Sequence, residues 1–251
     1  MEQMVGTKPA PLPAAAQRPA RLPQLQGGDH LTRDEFERRY NAMPRVKKAE
    51  LIEGIVCMPS PVYFNHGGPS WAIGGWLFTY RAGTPGVQGC DNTSVRLDLD
   101  NEPEPDVFLF ISPDCGGHAR IAEDGMVEGA PELVVEIAAT SASRDLHDKL
   151  NVYRRNGVKE YIAWRVLDQA IDWFVLRGGA YERLTPSKNA AGKEVYKSDT
   201  FPGLWLDVQA MLRDDIPAVL EVLREGLASG EHAAFVTRLV QVQSEKAKGK
   251  S

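Results

Sequence analysis

The chain has 251 residues, 43% hydrophobic and 25% charged, enough for one large domain or a domain with appendages and too apolar for wholesale disorder. Its formal net charge of -5 excludes a global pull toward polyanions, so nucleic-acid binding would need a local basic patch. Cys57, Cys90 and Cys115 are far apart with no Cys-x-x-Cys pair, and no apolar run approaches a membrane span or a secretory h-region, which together predict no disulfide framework, no membrane partner and a cytoplasmic setting.

Residues 1–28 carry Pro9, Pro11, Pro13, Pro19 and Pro23 among few large apolar residues, the composition of a disordered lead-in. Order is expected from Thr32. Thr32-Arg33-Asp34-Glu35 predicts a capping box, with Glu35 reaching back to the threonine. Phe36 and Tyr40 supply that helix's apolar stripe, and Met43-Pro44 its end. Glu50 to Met58 reads as two short strands about a bend at Gly54, closed by Pro59 and Pro61. After a loop at Asn65-His66-Gly67-Gly68, Trp71, Ile73, Trp76, Leu77, Phe78 and Tyr80 predict a packed helix. Gly74 and Gly75 weaken it or mark a close helix–sheet contact. Thr93 to Leu99 alternates with period two, as a half-exposed strand does.

Two apolar strands follow, Val107 to Ile111 and Leu133 to Ala138. The glycine-rich, charged stretch Ser112 to Ala130 between them predicts a mobile loop. Asp145 to Arg155 reads as a helix with Leu146, Leu150 and Tyr153 as its core stripe, stopped by Asn156-Gly157. Glu160 to Trp164 is a buried strand. Ile171 to Leu176 and Tyr181 to Leu184 form an antiparallel pair about Gly178-Gly179. Phe201 to Leu206 adds a last short strand. From Val208 the pattern is helical, with Leu220, Val222, Leu223 and Leu227 on one face and a charged, frayed tail after Gln241. The order predicts an α/β sandwich: a mixed central sheet flanked by helices on both faces, with an antiparallel extension. Residues 29–207 would form the main domain and 208–251 a C-terminal helical extension.

The chemistry starts from two carboxylates in apolar surroundings. Pro105-Asp106 opens the first apolar run, and Glu136 sits in the middle of the second. Alternation puts Asp106 with Phe108 and Phe110, and Glu136 with Val134. If the strands are neighbours, both acids reach one rim of the sheet. Unpaired interior charge is costly, and two acids repel, so a cation between them is the economical solution. Hard oxygen ligands suit Mg²⁺ or Mn²⁺, which can activate a water and steady a phosphoryl oxygen. Lys149 would orient that water or stabilise developing charge. Asp145, Lys149 and Tyr153 lie four apart on one helix face, so a surface Asp145–Lys149 ion pair worth about 0.2–0.5 kcal/mol is the plainer alternative. For Asp106 the plainer alternative is a strand-start aspartate after proline.

These residues carry a resemblance. Pro105-Asp106, Ala130-Pro131-Glu132-Leu133-Val134-Val135-Glu136-Ile137, Ser143 to Leu150 with Tyr153, and Gly157-Val158-Lys159-Glu160-Tyr161 together resemble the Uma2 family of putative restriction endonucleases. That family belongs to the PD-(D/E)xK nuclease-like superfamily. Glu50-Leu51-Ile52-Glu53-Gly54 and His66 resemble its N-terminal signature. Each motif alone is weak; their order and spacing make the match specific over roughly residues 31–176. The resemblance implies a restriction-endonuclease-like sandwich, a divalent metal and cleavage of phosphodiester bonds in nucleic acid, with DNA the expected substrate. Asp106 and Glu136 match the two acidic, metal-binding positions. The motif's lysine is expected two residues after Glu136, where this chain has Ala138. Lys149 matches the place of a lysine that has migrated to the following helix. Glu50, in preference to Glu53, would supply a further acidic group.

His66 could touch a phosphate or carry a proton, although a capping or core histidine is the ordinary reading. Arg144, Arg154, Arg155 and Lys159, with Arg45, Lys47 and Lys48, could form a phosphate-binding patch, or simply a solvated face. The five tryptophans are read as core. An apolar edge at Ile171 to Leu184 would suit a homodimer. Two rival functions remain beside the endonuclease: a non-catalytic binding or assembly module, motivated by Ala138 and the acidic charge, and a metal-dependent hydrolase of a small phosphate ester.

Overall fold

An unbroken apolar run such as Val107–Ile111 or Leu133–Ala138 persists as a strand only where both faces are covered. The computed structural model describes residues 22–58, 63–139 and 145–249, and in it those two strands form the middle of a six-stranded sheet. The chain runs α1 (Arg33–Asn41), β1 (Glu50–Ile52), β2 (Ile55–Cys57), α2 (Phe64–Ala82), β3 (Val87–Asp91), β4 (Val95–Arg96) and β5 (Val107–Ile111). A 3-10 turn at Pro113–Cys115 leads to β6 (Arg120–Ile121), β7 (Val127–Glu128) and β8 (Leu133–Ala138). A π-helical turn, Asp145–Lys149, runs into α3 (Leu150–Arg155), followed by β9 (Glu160–Arg165), β10 (Ala170–Arg177) and β11 (Ala180–Arg183). Next come β12 (Ser187–Lys188), β13 (Glu194–Lys197) and β14 (Trp205–Leu206), then α4 (Val208–Leu212), α5 (Ile216–Leu227) and α6 (Gly230–Gly249).

The large sheet has the order β11-β10-β9-β8-β5-β3. Only β8 and β9 pair in parallel; the other neighbours are antiparallel. A parallel pair needs a crossover, and here it carries the π-turn and α3 over one face. Alternation sorts the core accordingly. Leu109, Leu133, Val135, Ile162 and Trp173 face α2 and the C-terminal helices, packing with Ile73, Trp76, Tyr80, Val219 and Phe235. Phe108, Phe110, Val134, Tyr161 and Ala163 face the other way, onto Tyr153 and Val158. Helices therefore flank both faces of a mixed sheet. A third cluster joins Leu25, Phe36, Ala49, Leu51 and Val56 around α1 and the β1–β2 hairpin. That hairpin turns through Glu53 and Gly54, both at positive φ (54° and 72°), the left-handed pair that a two-residue hairpin requires.

Several local expectations give way. Ordered chain begins before Thr32: Leu25 is buried and Gly28 N–H donates to Val56 O. Thr32 stands at the N-cap of α1 but makes no side-chain cap bond, and the Glu35 carboxylate accepts from Arg38 and Arg39. Asn65 to Gly68 form the first turn of α2 rather than a loop. The strand expected over Thr93 to Leu99 shrinks to β4. The stretch after Ser112, expected as a loop, contains a 3-10 turn and the short strands β6 and β7. The tail expected to fray is helical through Gly249. Pro59, Pro61 and Ser143-Arg144 lie outside the described residues. Among the described residues no helix is long and apolar enough to cross a membrane.

Candidate active site

Strand register brings the two predicted acids together. β5 and β8 pair with Val107 opposite Val135, so the next step outward sets Asp106 opposite Glu136. Both project to the α3 face by alternation. Asp106 is pinned there by the backbone: Ile137 N–H donates to its Oδ2 at 2.7 Å. Its Oδ1 lies 3.3 Å from His66 Nε2, because α2 begins above the start of β5.

The crossover supplies the cation. Lys149 and Tyr153 are four residues apart, so both side chains reach down from the same side. Lys149 Nζ donates to Glu136 Oε1 at 3.0 Å and to Glu50 Oε1 at 2.9 Å. Tyr153 donates its hydroxyl to the same Glu136 oxygen at 2.6 Å. Glu50 arrives from β1, which bridges through Leu51 to Glu102, and its Oε1 also accepts from Glu104 N–H at 2.7 Å. Glu50, Asp106, Glu136 and Lys149 are all buried.

Burial pushes the Glu136 carboxyl up to about 8; the Asp106 and Glu50 charges push the same way, against Lys149 and the Tyr153 hydroxyl. Burial alone would lower the Lys149 ammonium, but the Glu136 and Glu50 charges outweigh it and hold it well above its ordinary value. Burial would raise the Asp106 carboxyl, yet the hydrogen bond and charge of His66, the Ile137 N–H and the Lys149 charge together outweigh it and hold the carboxyl below the usual range. His66 is raised in turn, chiefly by that same bond. Burial raises Glu104, which pairs with Lys48 at 3.3 Å. The cluster thus holds more acid than fixed base.

The sequence-predicted residues Glu50, Glu136 and Lys149 are in direct contact, and Asp106 stands beside them. Lys149 is no surface residue, and both of its observed partners are buried acids. His66 neither caps nor fills core; it partners Asp106. Tyr153, read from sequence as core stripe and as sharing one helix face with Lys149, is also a direct donor to Glu136. Several residues of the expected basic patch have partners within the chain. Arg154 binds Gly179 O, Arg155 pairs with Glu53 at 2.9 Å and Lys48 pairs with Glu104; Arg144 lies outside the described residues. Among the described residues no three His, Cys, Asp or Glu side chains surround a common point closely enough to hold a metal. By donor chemistry, however, Glu50, Asp106 and Glu136 are a set of hard oxygens with surplus negative charge, which fits a divalent cation.

Residues 33–209 match the model of the Uma2 family, described as a putative restriction endonuclease. Among solved structures, the crystal structure of a putative nuclease belonging to DUF820 from Anabaena variabilis aligns with a TM-score of 0.50 at 15% identity. That alignment covers 70% of this chain and 96% of the other. Likeness at that identity concerns the fold. No curated protein matches the chain.

Proposed function

We propose, from the premise that the chain belongs to the Uma2 family of putative restriction endonucleases, that it is a metal-dependent endonuclease hydrolysing phosphodiester bonds of DNA. In this reading the fold is a restriction-endonuclease-like sandwich of the PD-(D/E)xK type. The observation that carries the reading is the Lys149 ammonium held between Glu50 and Glu136, beside Asp106. A lysine from the crossover helix thereby takes the place that Ala138 leaves empty of charge.

Asp106 and Glu136 would hold Mg²⁺ or Mn²⁺, with Glu50 in support. When bound, such an ion supplies a charge that activates a water and stabilises a phosphoryl oxygen. The chain's own residues do the rest. Lys149 spends two of its three N–H donors on the carboxylates; the remaining one orients the attacking water or meets charge building on the phosphate. Tyr153, on α3, fixes the orientation of the Glu136 carboxylate through its hydroxyl. His66 and the Ile137 N–H fix the two oxygens of Asp106.

A non-catalytic binding module on the same fold draws on a different observation: Lys149 already neutralises part of the acid cluster. Nicking of supercoiled DNA with Mg²⁺ present separates the two. The endonuclease reading expects nicking by the wild type and a loss of at least about 100-fold in Glu136→Ala and Asp106→Asn, both checked for folding. Equal nicking by those variants, or none by the wild type, ends it.

A further inference from the structure

Away from the acid cluster, the outer face of α2 stands apart from the fold's ordinary logic. Phe64, Trp71 and Phe78 recur at seven-residue spacing, two helical turns, so they stand in one row. They are 90%, 86% and 65% exposed. The opposite face of α2 sends Ile73, Trp76, Leu77 and Tyr80 into the core, so the row points away from the sheet. Gly67, Gly68 and Gly75 interrupt the rings on that outer surface. A methyl group at Gly67 or Gly75 would meet no atom within 4 Å. The row borders a groove of about 920 Å³ that continues over Trp164, Met211 and Ile216.

Monomeric proteins rarely expose contiguous apolar patches beyond a few hundred Å². Buried aromatic side chains cover about 150–250 Å² each, so three that are mostly exposed offer about 400–600 Å². With Tyr63 (71% exposed) and the groove walls, the face approaches the roughly 800 Å² per partner of a standard interface. Charge narrows the partner. Among the residues lining the groove, Asp214 alone is charged, so nothing there meets a phosphate backbone. The outer strand β11, the other candidate edge, carries Glu182 and Arg183, charges that discourage strand pairing. The α2 face is also complementary to itself. Rings project and glycines leave hollows along one row, and the spacing is symmetrical about Trp71. An antiparallel second copy places the Phe64 end of one helix against the Phe78 end of the other.

We propose that this face joins two copies of the chain in a two-fold dimer with Trp71 at its axis. The proposal is independent of the nuclease reading. Sedimentation equilibrium of the full chain at micromolar concentration tests it. A species of twice the 27.7 kDa chain mass is expected. Trp71→Glu and Phe78→Glu should each raise the dissociation constant at least about 30-fold. Gly75→Gln replaces a poor helix former with a better one, so the chain should stay folded while its side chain fills the hollow and weakens the dimer. Leu99→Glu, at an exposed residue elsewhere, should leave the mass unchanged. A wild-type monomer overturns the proposal, whatever covers the face instead, residues 1–21 included. So does a dimer indifferent to both Trp71→Glu and Gly75→Gln.

Discussion

Replacing Lys149 by methionine isolates what the ammonium does for the fold. Methionine keeps an unbranched apolar stem and removes only the charge and its donors. Glu50 and Glu136, both 6% exposed, would then face each other without the cation that now sits 2.9 and 3.0 Å from them. Breaking a buried ion pair by deleting one partner typically costs about 3–5 kcal/mol, against about 5–15 kcal/mol for a whole domain. Glu136 can evade part of this by keeping a proton, since burial already pushes it up to about 8. The deficit should therefore be smaller at pH 5 and largest at pH 9. Glu136→Gln added to Lys149→Met removes one of the two stranded acids and should restore at least half of the loss. Urea unfolding followed by tryptophan fluorescence at the two pH values reads all three proteins. A single variant within about 1 kcal/mol of wild type at pH 9, or a double variant no better than the single, would refute the view that the lysine holds these acids together.

Two more outcomes follow from the same contacts. Glu136 has its folded value raised from 4.5 to about 8, so its contribution to stability is complete below about pH 4.5 and is lost as pH rises through about 8. Wild-type stability should thus decline more steeply than that of Glu136→Gln across this window in urea titrations; parallel curves would contradict the assignment. Tyr153→Phe keeps the ring, whose centroid lies 5.3 Å from that of Tyr161, and loses only the hydroxyl bond to Glu136, a charged acceptor at pH 9. It should cost about 1.5–3 kcal/mol, and an unchanged urea midpoint would show that the bond contributes nothing.

The acids were legible because their chemistry clashed with their surroundings. A carboxylate inside Leu133-Val134-Val135-Glu136-Ile137-Ala138 asks for a partner before any coordinates exist. The pairing of β8 with β9 was legible too, since a helix between two buried strands implies a parallel crossover. What stayed hidden depends on contacts far apart in sequence. Nothing near His66 says that α2 will start above Asp106, and nothing near Glu50 says that β1 will bridge to Glu102. Strand β3, Val87-Gln88-Gly89-Cys90-Asp91, has no strong strand propensity and contains a glycine. It forms because β5 offers an edge and because Gly89 lets the backbones meet: a Cβ there would fall 2.8 Å from Phe108 O. Tyr153 looked like ordinary core because its ring is core; only its hydroxyl belongs to the site. The α2 aromatics were likewise read as packing residues. A helix apolar on nearly every side gives no periodic clue to which rings face inward.

Asp106 and Glu136 are proposed to form a seat for a divalent ion. Titration of Mn²⁺ followed by electron paramagnetic resonance reads it without any substrate. About one Mn²⁺ per chain should bind at millimolar ion or below, and Asp106→Asn and Glu136→Gln should each abolish it. A wild-type protein that leaves the free Mn²⁺ signal undiminished, or variants that bind as well as it does, would contradict it.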